Sequence, residues 1–416
     1  MIHRLLAFVA LLPALVHAQT PLKAVTDRPD AVYSIGDEVT FTISGPAGEV
    51  TCVLSKDGVD SKPPQKLMVP DNGSVTLKGT LDEPGFLTLR VRQGETTTLA
   101  AAAISPEMIT PVGPPPTDFD AFWDKQRTAL KAVPLNPKME SVDAKVKGVE
   151  AFDIKVDCLG APVSGYFGRP ATKAAAKSLP AILYVHGAGV GSSNLTSVNW
   201  VLQHKGMLAL DINAHGIENG KPKEFYEQLA ATTLKDYRYV GRNDPEQCYF
   251  KGMFLRVIRA IDFLTSQPEW DGKTLVVYGS SQGGFQALAA AGLDSRVSFI
   301  CAGVPAGCDH NGFEVGRVCG WPKLVAVGQD GKHDATGAKA AAYFDCINFA
   351  LRAKCKGAAV TVGYIDTTCP PTSVYAAYNA LNVPKSIHAD PLVGHTNSPV
   401  ATKFMQDAAL KHIRGE

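Results

Sequence analysis

Two patterns of hydrophobic and polar residues divide the chain. Between residues 20 and 105, short β-rich runs alternate with turn signals such as Asp57-Gly58 and Glu83-Pro84-Gly85. The predicted strands lie at 38–44, 49–54, 74–78, 86–91 and 96–101. Short strands at this spacing predict a small β-sandwich of immunoglobulin type over 20–105. The segment has no aromatic platform for sugars, so we favour a spacer or packing module over a carbohydrate-binding one.

The pattern changes after a Pro-rich joint. Prolines concentrated at 111–116 predict a stiff, extended linker over 106–117. From residue 118 onward, apolar runs alternate with amphipathic or small-residue segments. The predicted strands are 181–185, 207–212, 274–278, 299–304, 360–365 and 385–390, and the predicted helices are 250–264, 285–291 and 374–381. This alternation predicts an α/β domain over 118–416, with a mainly parallel sheet covered by helices.

The first eighteen residues have the pattern of an export signal. Arg4 precedes the apolar run 5–16, and Val16-His17-Ala18 is a small-x-small cleavage site before Gln19. The run is too short to cross a bilayer, which needs about 20 residues. We therefore expect a secreted or periplasmic protein with no membrane anchor after cleavage.

Composition and charge narrow the possible partners. The chain is 45% hydrophobic and 19% charged, which is typical of a globular protein that buries a core. Lys and Arg number 41 against 40 Asp and Glu, and no basic run is present. Nucleic acid and anionic membranes bind proteins with a strong positive field, so both are excluded as partners.

The cysteines predict no metal site. There are nine, and an odd number leaves at least one free thiol. No C-x-x-C pair or Cys/His cluster has zinc spacing, so we predict no zinc site. Cys308 and Cys319 are open to two interpretations, a disulfide bridge or two buried thiols.

One motif carries candidate chemistry. Gly279-x-Ser281-x-Gly283 follows the predicted strand 274–278 and precedes a small-residue helix, the context of a nucleophile elbow. The turn from strand to helix is so tight that a side chain at either glycine would collide with neighbouring backbone. Ser281 is therefore the candidate nucleophile.

A serine needs a base and an acid, which in this topology follow it in the order acid, then histidine. His395 lies in a loop just past the last predicted strand and is the candidate base. His388 lies within that strand and is expected to face the core or a helix, and His412 belongs to the C-terminal helix. Asp366 ends the strand 360–365 and is the candidate acid, with Asp330 as its rival.

An oxyanion hole would complete this chemistry. The loop His186-Gly187-Ala188-Gly189 follows the strand 181–185, so the backbone N–H groups of Ala188 and Gln282 are the predicted pair of donors. For the side chain of His186 we favour a structural role, bonding loop backbone.

Several segments resemble one known family, that of the acetyl xylan esterases and cephalosporin-C deacetylases. The resemblance covers about residues 115–416 and is carried by these motifs: Pro116-Thr117-Asp118-Phe119-Asp120-Ala121-Phe122-Trp123, Arg259-Ala260-Ile261-Asp262-Phe263-Leu264, Gly279-Ser280-Ser281-Gln282-Gly283-Gly284, Tyr343-Phe344-Asp345-Cys346-Ile347-Asn348-Phe349-Ala350, Asp366-Thr367-Thr368-Cys369-Pro370-Pro371, Tyr375-Ala376-Ala377-Tyr378-Asn379 and Gly394-His395. It implies an α/β-hydrolase that removes acetyl groups from sugar hydroxyls without a metal or cofactor. It also implies Ser281 as nucleophile, Asp366 as orienting acid, His395 as base, and backbone at Gln282 and the residue after His186-Gly187 as oxyanion donors.

The chain departs from this family at two places. The family usually has a tyrosine after His186-Gly187, where this chain has Ala188, so an aromatic wall of the pocket is lost. The family's Arg-Gly-Gln-Gly segment appears as Asn213-Ala214-His215-Gly216. The bracing arginine is lost, and no role is assigned to His215.

These observations together predict an exported serine esterase acting on acetylated xylan, xylo-oligosaccharides or a similar glycan. Two alternatives remain: a serine hydrolase of the same fold that acts on another ester or a peptide, and an inactive, hydrolase-like glycan-binding protein. An oligomer is left open.

Overall fold

The structure is a computed structural model and describes residues 21–416, except Asn72 and Lys205. The predicted export signal at 1–18 lies outside the described residues. Within the part that is described, no helix is long and apolar enough to cross a membrane.

The N-terminal region consists of two β-sheets that share an apolar core. Its strands are β1 (Lys23–Thr26), β2 (Val32–Tyr33), β3 (Val39–Ser44), β4 (Gly48–Lys56), β5 (Val59–Asp60), β6 (Gln65–Val69), β7 (Ser74–Gly79), β8 (Gly85–Gln93) and β9 (Thr96–Ile104). One sheet has the order β1-β3-β7 and the other β2-β9-β8-β4-β5, with β6 paired to β4. In β3, Val39, Phe41 and Ile43 are fully buried and alternate with half-buried polar residues, as expected for a strand with one face on the core. The five predicted strands are confirmed, and their immunoglobulin-type arrangement stays a prediction.

The second region is built on one large mixed sheet with the order β10-β11-β12-β14-β13-β15-β16-β17-β18. Its strands are β10 (Lys138–Val142), β11 (Val149–Val156), β12 (Val163–Pro170), β13 (Leu179–Val185), β14 (Leu208–Ile212), β15 (Trp270–Ser280), β16 (Phe299–Gly303), β17 (Ala358–Gly363) and β18 (Lys385–Asp390). The neighbours from β14 to β18 pair in parallel, and β10, β11 and β12 form an antiparallel edge. The parallel strands are confirmed, whereas the antiparallel edge was not predicted, because its strands are partly exposed and carry mixed polarity.

Helices cover both faces of this sheet. They are α1 (Phe119–Lys131), α2 (Lys223–Ala231), α3 (Tyr249–Ser266), α4 (Gln282–Leu293), α5 (Ala335–Ala341), α6 (Cys346–Ala350), α7 (Pro371–Ala380) and α8 (Pro399–Arg414). Alternate side chains of β13 point to opposite faces of the sheet. Leu183 packs in the core beneath α3 and α4, and Ile182 packs in the core beneath α8. Because both faces are covered, the central strands are continuous apolar runs rather than alternating ones.

The two regions pack against each other directly. Phe86 of β8 joins the core of the second region, and its ring lies 5.1 Å from that of Tyr364. The Thr372 hydroxyl at the start of α7 donates a 2.5 Å hydrogen bond to the buried carboxylate of Asp57. The side chain of Asn379 donates to two carbonyls at 106 and 109, so the first part of the predicted linker is fixed to α7. The N-terminal region thus packs against the segment that contains Asp366.

All nine cysteines are free thiols in this structure. The Cys308 thiol is buried against the carbonyl of Pro305, and that of Cys319 donates to the carbonyl of His310. Of the two interpretations open for this pair, the structure supports separate thiols. Burial raises the pKa of Cys319 to about 11, which keeps the thiol protonated at neutral pH.

Candidate active site

Ser281 stands at the turn between β15 and α4 with strained backbone, at φ 57° and ψ −121°. A Cβ added at Gly279 would lie 2.6 Å from the carbonyl oxygen of Val185, and one at Gly283 would lie 2.3 Å from the same atom. The predicted need for glycine at both positions is therefore confirmed. The tight turn holds Ser281 half-buried in a cleft at the carboxyl ends of the parallel strands.

Two other predicted residues meet at this serine, although they are far from it in sequence. The Nε2 atom of His395 lies 2.8 Å from the Ser281 hydroxyl oxygen, and its Nδ1 atom lies 2.7 Å from Oδ2 of Asp366. The side chain of Asp366 is 1% exposed and that of His395 is 26% exposed. With Nδ1 protonated toward the carboxylate, Nε2 is free to accept the serine proton.

Backbone donors fix the orientation of the acid. The second carboxylate oxygen of Asp366 accepts hydrogen bonds from the N–H groups of Thr368 (2.8 Å) and Cys369 (2.9 Å). The structure puts Asp366, three residues past the end of β17, against His395. Asp330 lies instead in an exposed turn, where it accepts from the N–H of Lys332.

The other C-terminal histidines lie apart from the serine, as predicted. His388 is within β18, bonds Asp390 and packs against Phe404 of α8 at 5.7 Å. His412 of α8 bonds the Ser298 hydroxyl. Neither belongs to the cleft.

The loop after β13 is held by side chains of α4. Nε2 of Gln286 donates to the carbonyl of His186 at 3.0 Å, and Nε2 of Gln282 approaches that of Gly187 at 3.5 Å. With these two carbonyls turned toward α4, the next residue, Ala188, is exposed in the cleft beside Ser281. The two predicted oxyanion donors therefore belong to segments that are hydrogen-bonded to each other.

His215, which had no predicted role, braces the same loop from the other side. Its Nε2 atom donates to the carbonyl of Gly189 at 2.9 Å, and its Nδ1 atom accepts from the Tyr249 hydroxyl at 2.7 Å. Burial lowers the pKa of His215 to about 4, so the ring is neutral and can make both bonds. The guanidinium of Arg256 holds the adjacent carbonyl of Ala214 at 2.7 Å. In this chain, His215 and Arg256 of α3 therefore brace the loop segments at 189 and 214.

The side chain of His186 corrects a prediction. It was expected to bond loop backbone, but its Nε2 atom instead pairs with Oδ1 of Asp211 on β14 at 2.5 Å. Burial lowers the pKa of His186, but the charge and hydrogen bond of Asp211 outweigh this effect and raise it overall. Asp211 also accepts from the N–H of Asn194. The pair lines the cleft and ties its loop to β14.

The cleft has a volume of ≈ 960 Å³ and contains aromatic residues that the sequence analysis did not single out. They are Tyr184, Trp200, Tyr278 and Trp321. The tyrosines stand near the ends of otherwise aliphatic strands, and such an interruption is the signal by which they could have been found.

Three side chains around Asp366 have potential ligand atoms as close together as those of a metal site. Ligand atoms of Asp366, Cys369 and His395 lie within 4.8 Å of one another. However, both oxygens of Asp366 accept hydrogen bonds, and burial raises the pKa of the Cys369 thiol well above its usual range. Zinc needs a thiolate, so this arrangement favours a hydrogen-bonded network.

Comparison with known proteins identifies the family. Residues 108–414 match the family model described as acetyl xylan esterase (AXE1). The chain belongs to the acetyl xylan esterase family. It is therefore a carboxylic ester hydrolase, and the inactive glycan-binding alternative is set aside. The esterase is 32% identical over 411 residues to acetyl esterase Axe7A of Xylanibacter ruminicola, an alignment spanning 93% of this chain and 89% of that relative.

Solved structures support the fold of this esterase. An acetyl xylan esterase from Paenibacillus sp. R4 is 29% identical with a TM-score of 0.59, over 74% of this chain and 98% of that one. Acetyl xylan esterase 1 from Thermoanaerobacterium sp. is 23% identical with a TM-score of 0.58, over 73% and 97% of the two chains. The predicted α/β-hydrolase fold of the second region is thereby confirmed.

Proposed function

We propose that this esterase removes acetyl groups from acetylated carbohydrates through a covalent acetyl-enzyme intermediate. The observation that carries the proposal is the continuous hydrogen-bond chain from Ser281 to His395 to Asp366, with links of 2.8 and 2.7 Å. In the first step, the Ser281 oxygen attacks the acetyl carbonyl carbon while Nε2 of His395 takes the serine proton. That proton then passes to the departing sugar oxygen.

Water completes the cycle in the second step. His395 takes a proton from water as the water oxygen attacks the acetyl-enzyme carbonyl, and acetate leaves as Ser281 recovers its proton. The buried carboxylate of Asp366 holds the imidazole in the required tautomer and stabilises its charged form. We assign the oxyanion at each stage to the N–H groups of Ala188 and Gln282, because Gln282 opens α4 and the loop before Ala188 is fixed by two glutamines.

The substrate class rests on the family and its relatives. Acetylated xylan or xylo-oligosaccharides fit the family description, and the named acetyl esterase relative aligns with nearly the whole chain. A cleft of ≈ 960 Å³ has far more room than one acetyl group needs. An ester of another alcohol, or a peptide, is the alternative substrate.

Acetate release tests this function directly. Purified wild-type protein is expected to release acetate from acetylated xylan, and Ser281→Ala to reduce turnover by about a million-fold. Ser266→Ala on the exposed end of α3 is the matched control and should match the wild type. Turnover by Ser281→Ala within tenfold of the wild type would remove the serine from the mechanism. Activity on simple esters without activity on acetylated xylan would favour the alternative substrate.

We also propose that the protein is exported and that 20–105, 106–117 and 118–416 are its mature divisions. The pattern of residues 1–18 supports cleavage before Gln19, which would give a secreted or periplasmic enzyme. Sequencing the N-terminus of the protein recovered from its native host tests this, and an N-terminus at Met1 would contradict it.

A further inference from the structure

The cleft extends beyond Ser281 along the face of the sheet that α8 covers. Its floor is a row of side chains at one level on neighbouring strands: Asp211 on β14 pairs with Tyr184 on β13, which pairs with Tyr278 on β15. Residues in register on parallel strands point to the same face, so the row is continuous. The two tyrosine rings lie 4.9 Å apart, and the whole row lines the cleft.

Trp200 forms the aromatic wall above this floor. It ends the 3-10 turn Leu195–Trp200, and its ring lies 5.8 Å from that of Tyr184 and 6.2 Å from that of Tyr278. Asn199 and Gln406 are exposed at the rim of the same cleft. We call the part of the cleft bounded by Tyr184, Trp200 and Tyr278 the aromatic arm.

The aromatic arm also contains an unused polar group. Tyr278 is 8% exposed, yet its hydroxyl makes no hydrogen bond to any residue in the described part of the chain. Although most of the ring is buried, the hydroxyl oxygen keeps access to the cleft, so it is free to bond a ligand or water there. Burial raises the pKa of Tyr278, which keeps the phenol protonated and able to donate.

We propose that the aromatic arm binds a sugar ring of the glycan next to the acetylated one. A sugar ring presents apolar C–H faces that pack on aromatic rings and hydroxyls that bond polar groups at the edge. The arm supplies both kinds of surface and opens directly onto Ser281. His186 lines the same cleft, and because its Nε2 atom pairs with the buried Asp211, its Nδ1 atom is left to bond a sugar hydroxyl. This inference rests on the proposed function, because it places the remainder of the same substrate.

The test compares a long substrate with a minimal one. We define the selectivity as kcat/KM on an acetylated xylo-oligosaccharide divided by kcat/KM on p-nitrophenyl acetate. Trp200→Ala is expected to lower this ratio about tenfold or more, as truncation of a buried aromatic contact does. Tyr278→Phe removes one hydroxyl, keeps the packing, and should lower the ratio by about two- to tenfold. Tyr239→Phe, outside the cleft, is the matched control and should leave the ratio unchanged.

A second measurement avoids turnover of the glycan. Xylo-oligosaccharide without acetyl groups should inhibit hydrolysis of p-nitrophenyl acetate competitively. Its inhibition constant should rise in Trp200→Ala and in Tyr278→Phe by the factor by which each variant lowers the selectivity. An unchanged ratio and inhibition constant in both variants would overturn the aromatic arm while leaving the proposed function intact. Trp200→Ala could instead lower kcat/KM on p-nitrophenyl butyrate relative to kcat/KM on p-nitrophenyl acetate. That result would assign the arm to acyl chains and overturn the proposal. Failure of the wild type to deacetylate the oligosaccharide would instead refute the proposed carbohydrate substrate.

Discussion

At the level of single residues, the identity of the acid is decided by contact rather than by position in the sequence. Asp330 and Asp366 both follow apolar segments, but only Asp366 reaches His395. We expect Asp366→Asn to lower turnover by roughly four orders of magnitude, because the imidazole loses both its tautomer and its counter-charge. Asp330→Asn, in an exposed turn, should leave kcat within twofold. Kinetics on p-nitrophenyl acetate for the two variants check this, and reversed sensitivities would assign the acid to Asp330.

The side chain at position 188 is expected to set the range of acyl chains. Ala188 is exposed in the cleft, and the group that we assign to the oxyanion is its backbone N–H. Ala188→Tyr should leave acetate turnover within about tenfold, because the N–H remains. It should lower butyrate turnover by about 10–200-fold, because the tyrosine fills space that longer chains use. Kinetics on acetyl, propionyl and butyryl esters measure this, and equal losses on all three would show that the tyrosine disturbs the loop.

At the level of elements, the loop after β13 depends on a histidine that must stay neutral. Burial lowers the pKa of His215 to about 4, whereas the unfolded chain keeps the ordinary value near 6.5. Between these values the unfolded state binds the extra proton, so His215 lowers stability as pH falls from about 6.5 to about 4. Above about 6.5 both states are neutral and the effect is absent.

Comparison with His215→Gln isolates this contribution, because a glutamine amide can still donate to the carbonyl of Gly189. The free energy of unfolding of the wild type minus that of the variant should be constant above pH 7. It should fall by up to about 3 kcal/mol by pH 4. Urea unfolding at several pH values measures the difference, and other buried histidines cancel from it. A difference that does not change with pH would mean that His215 is not held neutral by the fold.

At the level of the whole molecule, the N-terminal region supports the segment that holds Asp366. The Asp57 carboxylate accepts from the N–H of Phe86 (2.8 Å) within its own region and from the Thr372 hydroxyl (2.5 Å) across the boundary. The backbone carbonyl of Asp57 also accepts from the N–H of Val318. Thr372 lies six residues after Asp366, in the first turn of α7.

Thr372→Val keeps the shape of this side chain and removes its donor. Because the buried carboxylate then loses a partner, we expect the free energy of unfolding to fall by about 1–3 kcal/mol. The exposed Thr172→Val is the matched control and should change it by less than about 0.5 kcal/mol. Urea unfolding of the full chain measures both, and equal stability of the two variants would show that this bond does not hold the regions together.

Much of the site could be predicted because its signals are local. The elbow depends on sterics between neighbouring residues, and the structure bears this out at Gly279 and Gly283, where a Cβ would overlap the carbonyl of Val185. The parallel strands could be predicted because burial on both faces makes them continuous apolar runs. Chain order then restricted the base and the acid to a few loops.

The sequence by itself therefore determined the parallel strands, the elbow and the three candidate residues, since each follows from the pattern of a short segment. Only the tertiary structure decided what depends on register between distant strands. It brought Asp366 against His395, paired His186 with Asp211, gave His215 its two partners and aligned Tyr184 with Tyr278. Such contacts join residues far apart in the chain, and no local pattern encodes which strand lies beside which or at what level.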